Sequence, residues 1–363
     1  MQVHAVHSRR WSVRSSLSLL ALSLGLGACA GAGAASTTTP APAPTTTVAD
    51  TTTTEATTTT EAATTTTEAP VPVYPLTGLP VADPAVAGRP ALVVKIDNAP
   101  GARPQTGFNA ADIVFEEIVN DNLTRFAMVF QSNDSTPVGP IRSGRLQDID
   151  LFSAFNHPLF AWSGGNGTVT AAIRASDLVD IGPSRAAAYF RSNDRNAPHN
   201  LYSSTSKLRE STPFGAGPPP QMFVYRAEGD TLAGEPSAGV ALKLDAIDAR
   251  WDWDPATNVY RRTMEGKAHN DAGNGRQVTT DNVVVIAVNY RPGVSGSPDA
   301  QTIGTGEAFV FSGGNYVHGT WSRPDRRQPY TLTDDDGNPI ELTPGRTFVE
   351  LPRQNSTLPL PAA

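Results

Sequence analysis

The chain has 363 residues, of which 39% are hydrophobic, 31 are proline and one is cysteine. Its 28 Lys and Arg side chains against 35 Asp and Glu give a net charge of −7, which argues against a nucleic-acid partner held through phosphate contacts and against a basic face directed at a membrane surface. A single cysteine excludes an intramolecular disulfide framework and a zinc site built from several thiolates.

The first 28 residues have the pattern of an export signal. Arginines at 9, 10 and 14 precede an apolar run over 17–26 that is too short to cross a bilayer of ~30 Å. The Leu-Gly-Ala-Cys motif that ends at Cys29 is typical of a lipid-modified cysteine. We therefore predict a lipoprotein signal peptide over 1–28 and an extracytoplasmic protein attached to the cell membrane by a lipid at Cys29. An ordinary signal peptide and an uncleaved anchor are the alternatives, and Sec and twin-arginine export both remain open.

Residues 29–71 form a segment rich in Thr, Pro, Ala and Glu. Such a segment has too little apolar surface to offset the conformational entropy that folding would cost. We predict a disordered stalk, which as a flexible coil would hold the folded part on the order of 35 Å from the lipid.

Residues 72–215 carry the signals of an α/β domain. Apolar runs at 91–96, 112–119 and 123–131 predict strands, with turn residues at 120–122 between the last two. Helical periodicity predicts helices over 146–155 and 168–178.

A cluster of Gly and Pro at 211–220 interrupts the pattern and predicts a domain boundary. Residues 216–356 then contain short strand-like runs, followed by a tail at 357–363. The predicted strands are 221–225, 258–264, 283–289, 307–311, 315–321 and 346–351. The fold class is therefore α/β or α+β, with a mixed α/β N-terminal domain followed by a mainly β C-terminal domain.

Polar residues of the first domain flank predicted strand ends and turns, where α/β sheets usually bind ligands. The candidate ligand-binding residues are Asp97, Arg103, Asp112, Glu116, Arg125, Arg142, Arg145 and His199.

Two of these candidates, Arg142 and Arg145, lie on a Gly/Pro-rich turn. Their forked donors suit phosphate or carboxylate. In the alternative they form buried ion pairs with Asp112, Glu116 or Asp148. His199 suits a general base, although a histidine beside proline in a loop more often bonds a backbone carbonyl.

Other patterns are weaker. The Ser-Gly-Gly-Asn-Gly run at 163–167 suits either an anion or an ordinary turn and helix cap. Aromatic residues at 251, 253 and 260 suit a sugar-stacking face but are more typical of core. His269 and Asp271 lack further metal ligands, and 334–337 is better explained as a hairpin turn than as a calcium loop. We predict no metal and no cofactor.

Short motifs in one order resemble those of the YerB-like lipoproteins of Gram-positive bacteria, over about residues 72–352. The motifs are Lys-Ile-Asp-Asn at 95–98, Ala-Asp-Ile-Val at 111–114, Gly-Pro-Ile-Arg-Ser-Gly-Arg at 139–145, Ala-Pro-His-Asn-Leu-Tyr at 197–202 and His-Gly-Thr-Trp at 318–321. The resemblance implies an envelope location and a two-part domain of unknown function, and it implies no reaction.

The chain also resembles the LytR-CpsA-Psr wall-polymer ligases in outline. Asp112, the strand at 126–130, Arg142 and Gly164-Gly165 occur in a similar order, although the Ile-Pro-Arg-Asp signature is absent because Ser143 follows Arg142.

Three classes of function remain at this stage. The first is a tethered binding or scaffold lipoprotein that contacts cell-wall synthesis proteins or wall polymer. The second is an enzyme on phosphorylated lipid-linked glycans, with Arg142 and Arg145 as a phosphate clamp. The third and least favoured class is a solute-binding protein, because the second half is too rich in β-structure for a two-lobed α/β clamp. Whether the protein is catalytic is left open.

Overall fold

The computed structural model describes residues 71–213, 216–227 and 229–362. The predicted signal peptide, Cys29 and all but the final residue of the predicted stalk lie outside the described residues, and so these features stay predictions. Within the described residues, no helix has both the length and the apolar character needed to cross a membrane.

The first half of the described chain combines strands with short helices. The α-helices are α1 (Pro84–Ala87), α2 (Gln147–Phe152), α3 (Gly167–Arg174) and α4 (Thr205–Arg209). The strands are β1 (Leu92–Asp97), β2 (Ile113–Ile118), β3 (Thr124–Phe130), β4 (Leu159–Ala161), β5 (Val179–Asp180), β6 (Phe190–Arg191) and β7 (Leu201–Tyr202). Asp121 and Asn122 turn the chain between β2 and β3 with φ of 64° and 55°, a region that Asp and Asn tolerate.

The second half is built from strands. They are β8 (Glu235–Leu244), β9 (Ile247–Asp254), β10 (Val259–Met264), β11 (Lys267–Ala268), β12 (Asn270–Asp271), β13 (Arg276–Gln277), β14 (Thr279–Thr280), β15 (Asn282–Ile286), β16 (Tyr290–Pro292), β17 (Pro298–Ala300), β18 (Gly304–Ser312), β19 (Asn315–Arg323), β20 (Thr331–Asp334), β21 (Thr347–Leu351) and β22 (Thr357–Pro361).

Most of these strands share one sheet, in the order β11-β10-β9-β8-β19-β18-β15-β21-β2-β3-β1-β4-β5. Strand β21 pairs in parallel with both β15 and β2. Strands β1 and β2 each pair antiparallel with β3, and β1 pairs in parallel with β4. The ends of β1, β2 and β4 therefore lie at the same edge of the sheet.

The central strands are buried on both faces. On one face, Val93 and Phe115 pack with Phe152 of α2. On the other face, Val94 and Phe126 pack with Trp251, which β9 supplies. Burial on both sides explains why β1 to β3 are nearly continuous apolar runs rather than alternating ones.

The predicted fold class is confirmed, because a mixed helix and strand region is followed by a mostly β region over 235–361. The division into domains at 215/216 stays a prediction; strands from both halves meet where β21 lies between β15 and β2.

Two local predictions are wrong. Residues 221–225 form no strand, because their backbone groups are satisfied by separate neighbours: Met222 N donates to the Pro75 carbonyl at 3.3 Å, and Leu342 N donates to the Val224 carbonyl at 2.8 Å. The predicted tail at 357–363 contains β22, which pairs antiparallel with β8.

Candidate functional site

The carboxyl ends of the parallel strands β1, β2 and β4 lie at one edge of the sheet, where α/β proteins usually bind ligands. There the segment 139–145 extends the sheet beside β1. Ile141 forms a bridge with Ile96, and the Arg142 amide donates to the Lys95 carbonyl at 2.8 Å. The Arg142 carbonyl accepts from the Ser163 amide at 2.9 Å, just after β4. Backbone contacts on two sides therefore fix the point from which the Arg142 side chain extends.

Three guanidinium groups meet at this edge, and we call Arg125, Arg142 and Arg145 the arginine cluster. Arg125 stands opposite Asp97 in the register of β1 and β3, is 8% exposed, and donates from Nη1 to the Ser143 carbonyl at 2.6 Å. The Arg125 Nε has no hydrogen-bond partner among the described residues. The Arg142 side chain is 27% exposed, and its Nε lies 3.3 Å from Asp97 Oδ2 without forming a hydrogen bond.

Arg145 is held by neutral acceptors. Its guanidinium donates to the Gly144 carbonyl, the Asn120 side-chain oxygen and the Ser297 hydroxyl, each at 3.0 Å. Its backbone amide donates to Asp148 Oδ2 at 2.6 Å. These contacts position Arg145 but place no carboxylate against its charge.

The arginine cluster is poorly neutralised. Among the described residues, Asp97 is the only carboxylate within 4 Å of any of the three guanidiniums. Burial, with the neighbouring charges of Arg145 and Arg142, lowers the pKa of Arg125 to about 10. Burial also lowers the pKa of Arg145, while Glu117 and Asp148 oppose that change. Since these groups are still cations at neutral pH, the cluster is an environment in which an added anion is favourable.

His199 and Asp97 form a pair beside the cluster. His199 Nδ1 lies 2.7 Å from Asp97 Oδ2, and the histidine side chain is 26% exposed. Asp97 Oδ1 also accepts from the Ala99 amide at 3.1 Å. The expectation that His199 bonds a backbone carbonyl is therefore wrong, because its partner is a carboxylate. A histidine oriented in this way has the arrangement of a general base.

The structure separates Arg103, Asp112 and Glu116 from the cluster. Arg103 donates from Nε to the Asn98 backbone and side-chain oxygens at 3.0 Å and pairs with Glu265 through Nη1. Asp112 lies just before the first residue of β2, at the opposite end of that strand. It accepts a hydrogen bond from the Ser132 amide, and burial raises its pKa. Glu116 lies inside β2 rather than at its end.

The expected ion pairs between the cluster and Asp112, Glu116 or Asp148 are also wrong. Glu116 pairs with buried Arg262, and Arg262 Nη2 also lies 3.7 Å from Glu350. Asp148 lies 2.8 Å from buried Lys95, which also pairs with Glu117. Other cations therefore neutralise Glu116 and Asp148, while Asp112 accepts hydrogen bonds from Ser132 instead.

The sequence analysis missed these two buried networks. The first joins Lys95, Glu117 and Asp148, and the second joins Arg262, Glu116 and Glu350, with every one of these side chains at most 1% exposed. The available signal was the presence of charges inside apolar runs, such as the lysine in Leu-Val-Val-Lys-Ile at 92–96. Charges at such positions are buried and must be paired.

The weaker candidates have structural roles. Asn166 in the 163–167 run caps α3 by accepting from the Val169 amide at 2.9 Å. Trp251 and Tyr260 are fully buried, which confirms the core interpretation for these two. Asp334 Oδ1 accepts from the amides of Asp336 and Asn338 at 3.0 and 2.7 Å, as expected for a hairpin turn.

The metal candidates are likewise occupied by protein contacts. His269 contacts Arg262 and Gln105 through its two ring nitrogens, and Asp271 accepts from the amides of Gly107 and Asn109. The described part of the chain contains no group of three His, Cys, Asp or Glu side chains arranged to hold a metal ion.

Comparison with known proteins agrees with the motifs. Residues 76–214 match the N-terminal domain, and residues 240–349 the C-terminal domain, of a protein family of unknown function, DUF3048. YerB of Bacillus subtilis (strain 168), which is named as a lipoprotein, is 25% identical over 287 residues, or 76% of this chain and 85% of that protein. The crystal structure of the YerB protein from Bacillus subtilis superimposes with a TM-score of 0.70 at 22% identity, covering 79% of this chain and 98% of that one. The chain therefore belongs to the DUF3048 family of YerB-like proteins.

Proposed function

We propose that the protein is a lipoprotein of the cell envelope, anchored outside the membrane through Cys29, whose folded part binds an anionic ligand at the arginine cluster. The observation that supports this most directly is the set of three cations with one carboxylate at contact distance. Arg125 contributes a buried guanidinium with an unsatisfied Nε, a group whose desolvation is costly unless a partner completes it.

The proposed ligand is a phosphate-bearing wall polymer or its lipid-linked precursor. Guanidinium forks suit the several oxygens of a phosphate. Arg142 and Arg145 of the cluster and the neighbouring His199 are partly exposed, so such a group would enter beside them. A protein of the wall-synthesis machinery that presents acidic side chains is the alternative partner, and competition by phosphate distinguishes the two.

Binding to the full-length protein tests this proposal. A soluble polyprenyl-phosphate analogue should bind the wild type and lose at least tenfold in affinity in Arg142→Ala, since a charged hydrogen bond contributes ~1.5–3 kcal/mol. Arg327→Ala is the matched control, because Arg327 is an exposed arginine paired with Asp177 on another part of the surface. Equal affinity in wild type and Arg142→Ala would contradict the proposal.

The Asp97–His199 pair supports an enzyme on phosphorylated lipid-linked glycans as a second candidate. In that role a hydroxyl would attack phosphorus of the lipid-linked glycan, and His199 would accept its proton. The new P–O bond would replace the bond to the lipid-bearing group, which leaves, while the cluster holds the phosphate. Turnover of a lipid-linked glycan by the wild type but not by His199→Asn would establish it. If both proteins bind the ligand equally and neither turns it over, the enzyme role is excluded and the binding role remains.

A further inference from the structure

A second set of arginines surrounds a cavity of about 350 Å³ in the C-terminal half. Arg261 reaches it from β10, Arg276 from β13, and Arg346 from the residue before β21. The rest of the lining is mostly amide and hydroxyl groups, including those of Asn274 and Thr279, with Val259 as its apolar residue. No Asp or Glu is among the described residues that line the cavity. Its volume is in the range of small-molecule sites.

Arg346 is the inner cation of this cavity. Its Nη2 donates to the Thr279 hydroxyl at 2.8 Å and its Nη1 to the Asn109 side-chain oxygen at 3.4 Å. No described carboxylate lies within 4 Å of its guanidinium; Asp281 instead accepts from its backbone amide at 2.7 Å. Burial lowers the pKa of Arg346 despite the more distant acids Asp281, Asp112 and Asp271, and the charge of Arg276 adds to that effect. Arg276 is therefore close enough to repel Arg346.

The outer cations differ in how they are neutralised. Arg261 pairs with Asp254 at the rim, with its Nε 2.7 Å from the carboxylate. Arg276 has no carboxylate within 4 Å among the described residues, and it is exposed. Two of the three cations thus have no acidic partner at contact distance, although both face one polar cavity.

The position of this cavity sets it apart from the arginine cluster. Thr347, next to Arg346, pairs with Ile113 at the beginning of β2, whereas Arg125 pairs with Glu117 near the end of that strand. Positions 113 and 117 are four residues apart along β2, which separates the two places by roughly 13 Å at about 3.3 Å per residue.

We propose that this cavity is a second anion-binding site, which takes a phosphate or carboxylate group on a hydroxylated ligand, as in a sugar phosphate or a sugar acid. The anion contacts Arg346 and Arg276, whose guanidiniums provide charged donors. Asn274 and Thr279 are placed to bond the hydroxyls of the ligand. This inference does not depend on the ligand or the activity of the arginine cluster.

Titration calorimetry on the full-length protein tests the proposal with four probes: inorganic phosphate, a hexose 1-phosphate, a hexuronate and the neutral hexose. We expect saturable binding of the hexose 1-phosphate or the hexuronate, no binding of the neutral hexose, and weaker binding of inorganic phosphate. Arg276→Ala should weaken the binding at least tenfold and Arg276→Glu should abolish it. Binding of the hexose 1-phosphate would identify a phosphate as the recognised group, and binding of the hexuronate would identify a carboxylate.

Further variants separate loss of this site from unfolding and from binding at the arginine cluster. Arg276 is exposed, so its replacement tests the site even where Arg346→Ala unfolds the protein. Because the arginine cluster is itself proposed to bind phosphate, the Arg276 substitutions are also measured in the Arg142→Ala background, in which the cluster is weakened and this cavity is intact. Arg327→Ala in the same background is the control for loss of one surface charge. The proposal is overturned if neither anionic sugar binds to Arg142→Ala, or if that binding persists when Arg276→Glu is added, or if adding Arg327→Ala removes it equally.

Discussion

Replacing Arg142 by alanine should leave the stability of the folded protein nearly unchanged. The Arg142 side chain is 27% exposed and has one ion-pair partner, Asp97, at 3.3 Å. Partly exposed ion pairs contribute ~0–1 kcal/mol to the free energy of unfolding. The substitution also removes a charge that repels Arg125, which offsets part of that loss. The net change should stay within ~1 kcal/mol, or ~2–4 °C in Tm for a folded region of this size.

Lys95→Met provides the contrast. Lys95 is fully buried between Glu117 and Asp148, and methionine fills a similar volume without the charge. Two buried carboxylates would lose their cation, which should cost ~3–5 kcal/mol. Urea unfolding monitored by tryptophan fluorescence gives the free energy of unfolding of both variants, because Trp162 and Trp251 are buried in the fold. A loss in Arg142→Ala as large as that in Lys95→Met would refute the argument, since Arg142 would then be part of the structural network.

Three further predictions concern pH, anchoring and the stalk. Burial, with the charge of Glu116, raises the pKa of Glu350 well above its usual 4.5. Above about pH 4.5 the folded state therefore keeps a proton on Glu350 that the unfolded state has lost. Stability should therefore fall as the pH rises above about 4.5, and urea midpoints from about pH 5 to about pH 8 should show a smaller fall in Glu350→Gln. Cys29→Ala should release the protein to the medium or leave an unprocessed precursor, and unchanged membrane partitioning with palmitate incorporation would contradict the lipid anchor. Deletion of 36–68 should leave the Tm of the folded part unchanged, because no predicted core residue is lost, whereas a clear drop would show that the stalk packs.

The limits of the first three strands could be predicted because residues adjacent in the sequence determine them. Strands β1, β2 and β3 begin and end within one or two residues of the predicted limits, since turn residues or breakers flank their apolar runs. Strands β8 and β9 were not predicted. Glu235–Leu244 mixes Pro, Ser, Gly and Lys with its apolar residues, and this weak local pattern becomes a strand through pairing with β9 and β22.

The candidate site shows the same limit. The sequence indicated Asp97, Arg125, Arg142, Arg145 and His199, and the structure brings these five to one edge. It could not indicate which acids neutralise which cations, because such partners are far apart in the chain. Glu116 and Arg262 are separated by 146 residues, and only the packing of β10 over the central sheet brings them together.

The place of β21 in the sheet has a consequence for how the protein is made. Residues 347–351 lie between β2 and β15, so both neighbours emerge from the ribosome, and cross the membrane if the chain is exported, before the strand that joins them. Until then β2 and β15 each present an unpaired apolar edge, which is prone to pair with other chains. Folding is thus completed only after nearly the whole chain has been delivered. A product of premature termination before residue 347 should be degraded or bound by chaperones rather than accumulate as a stable fragment.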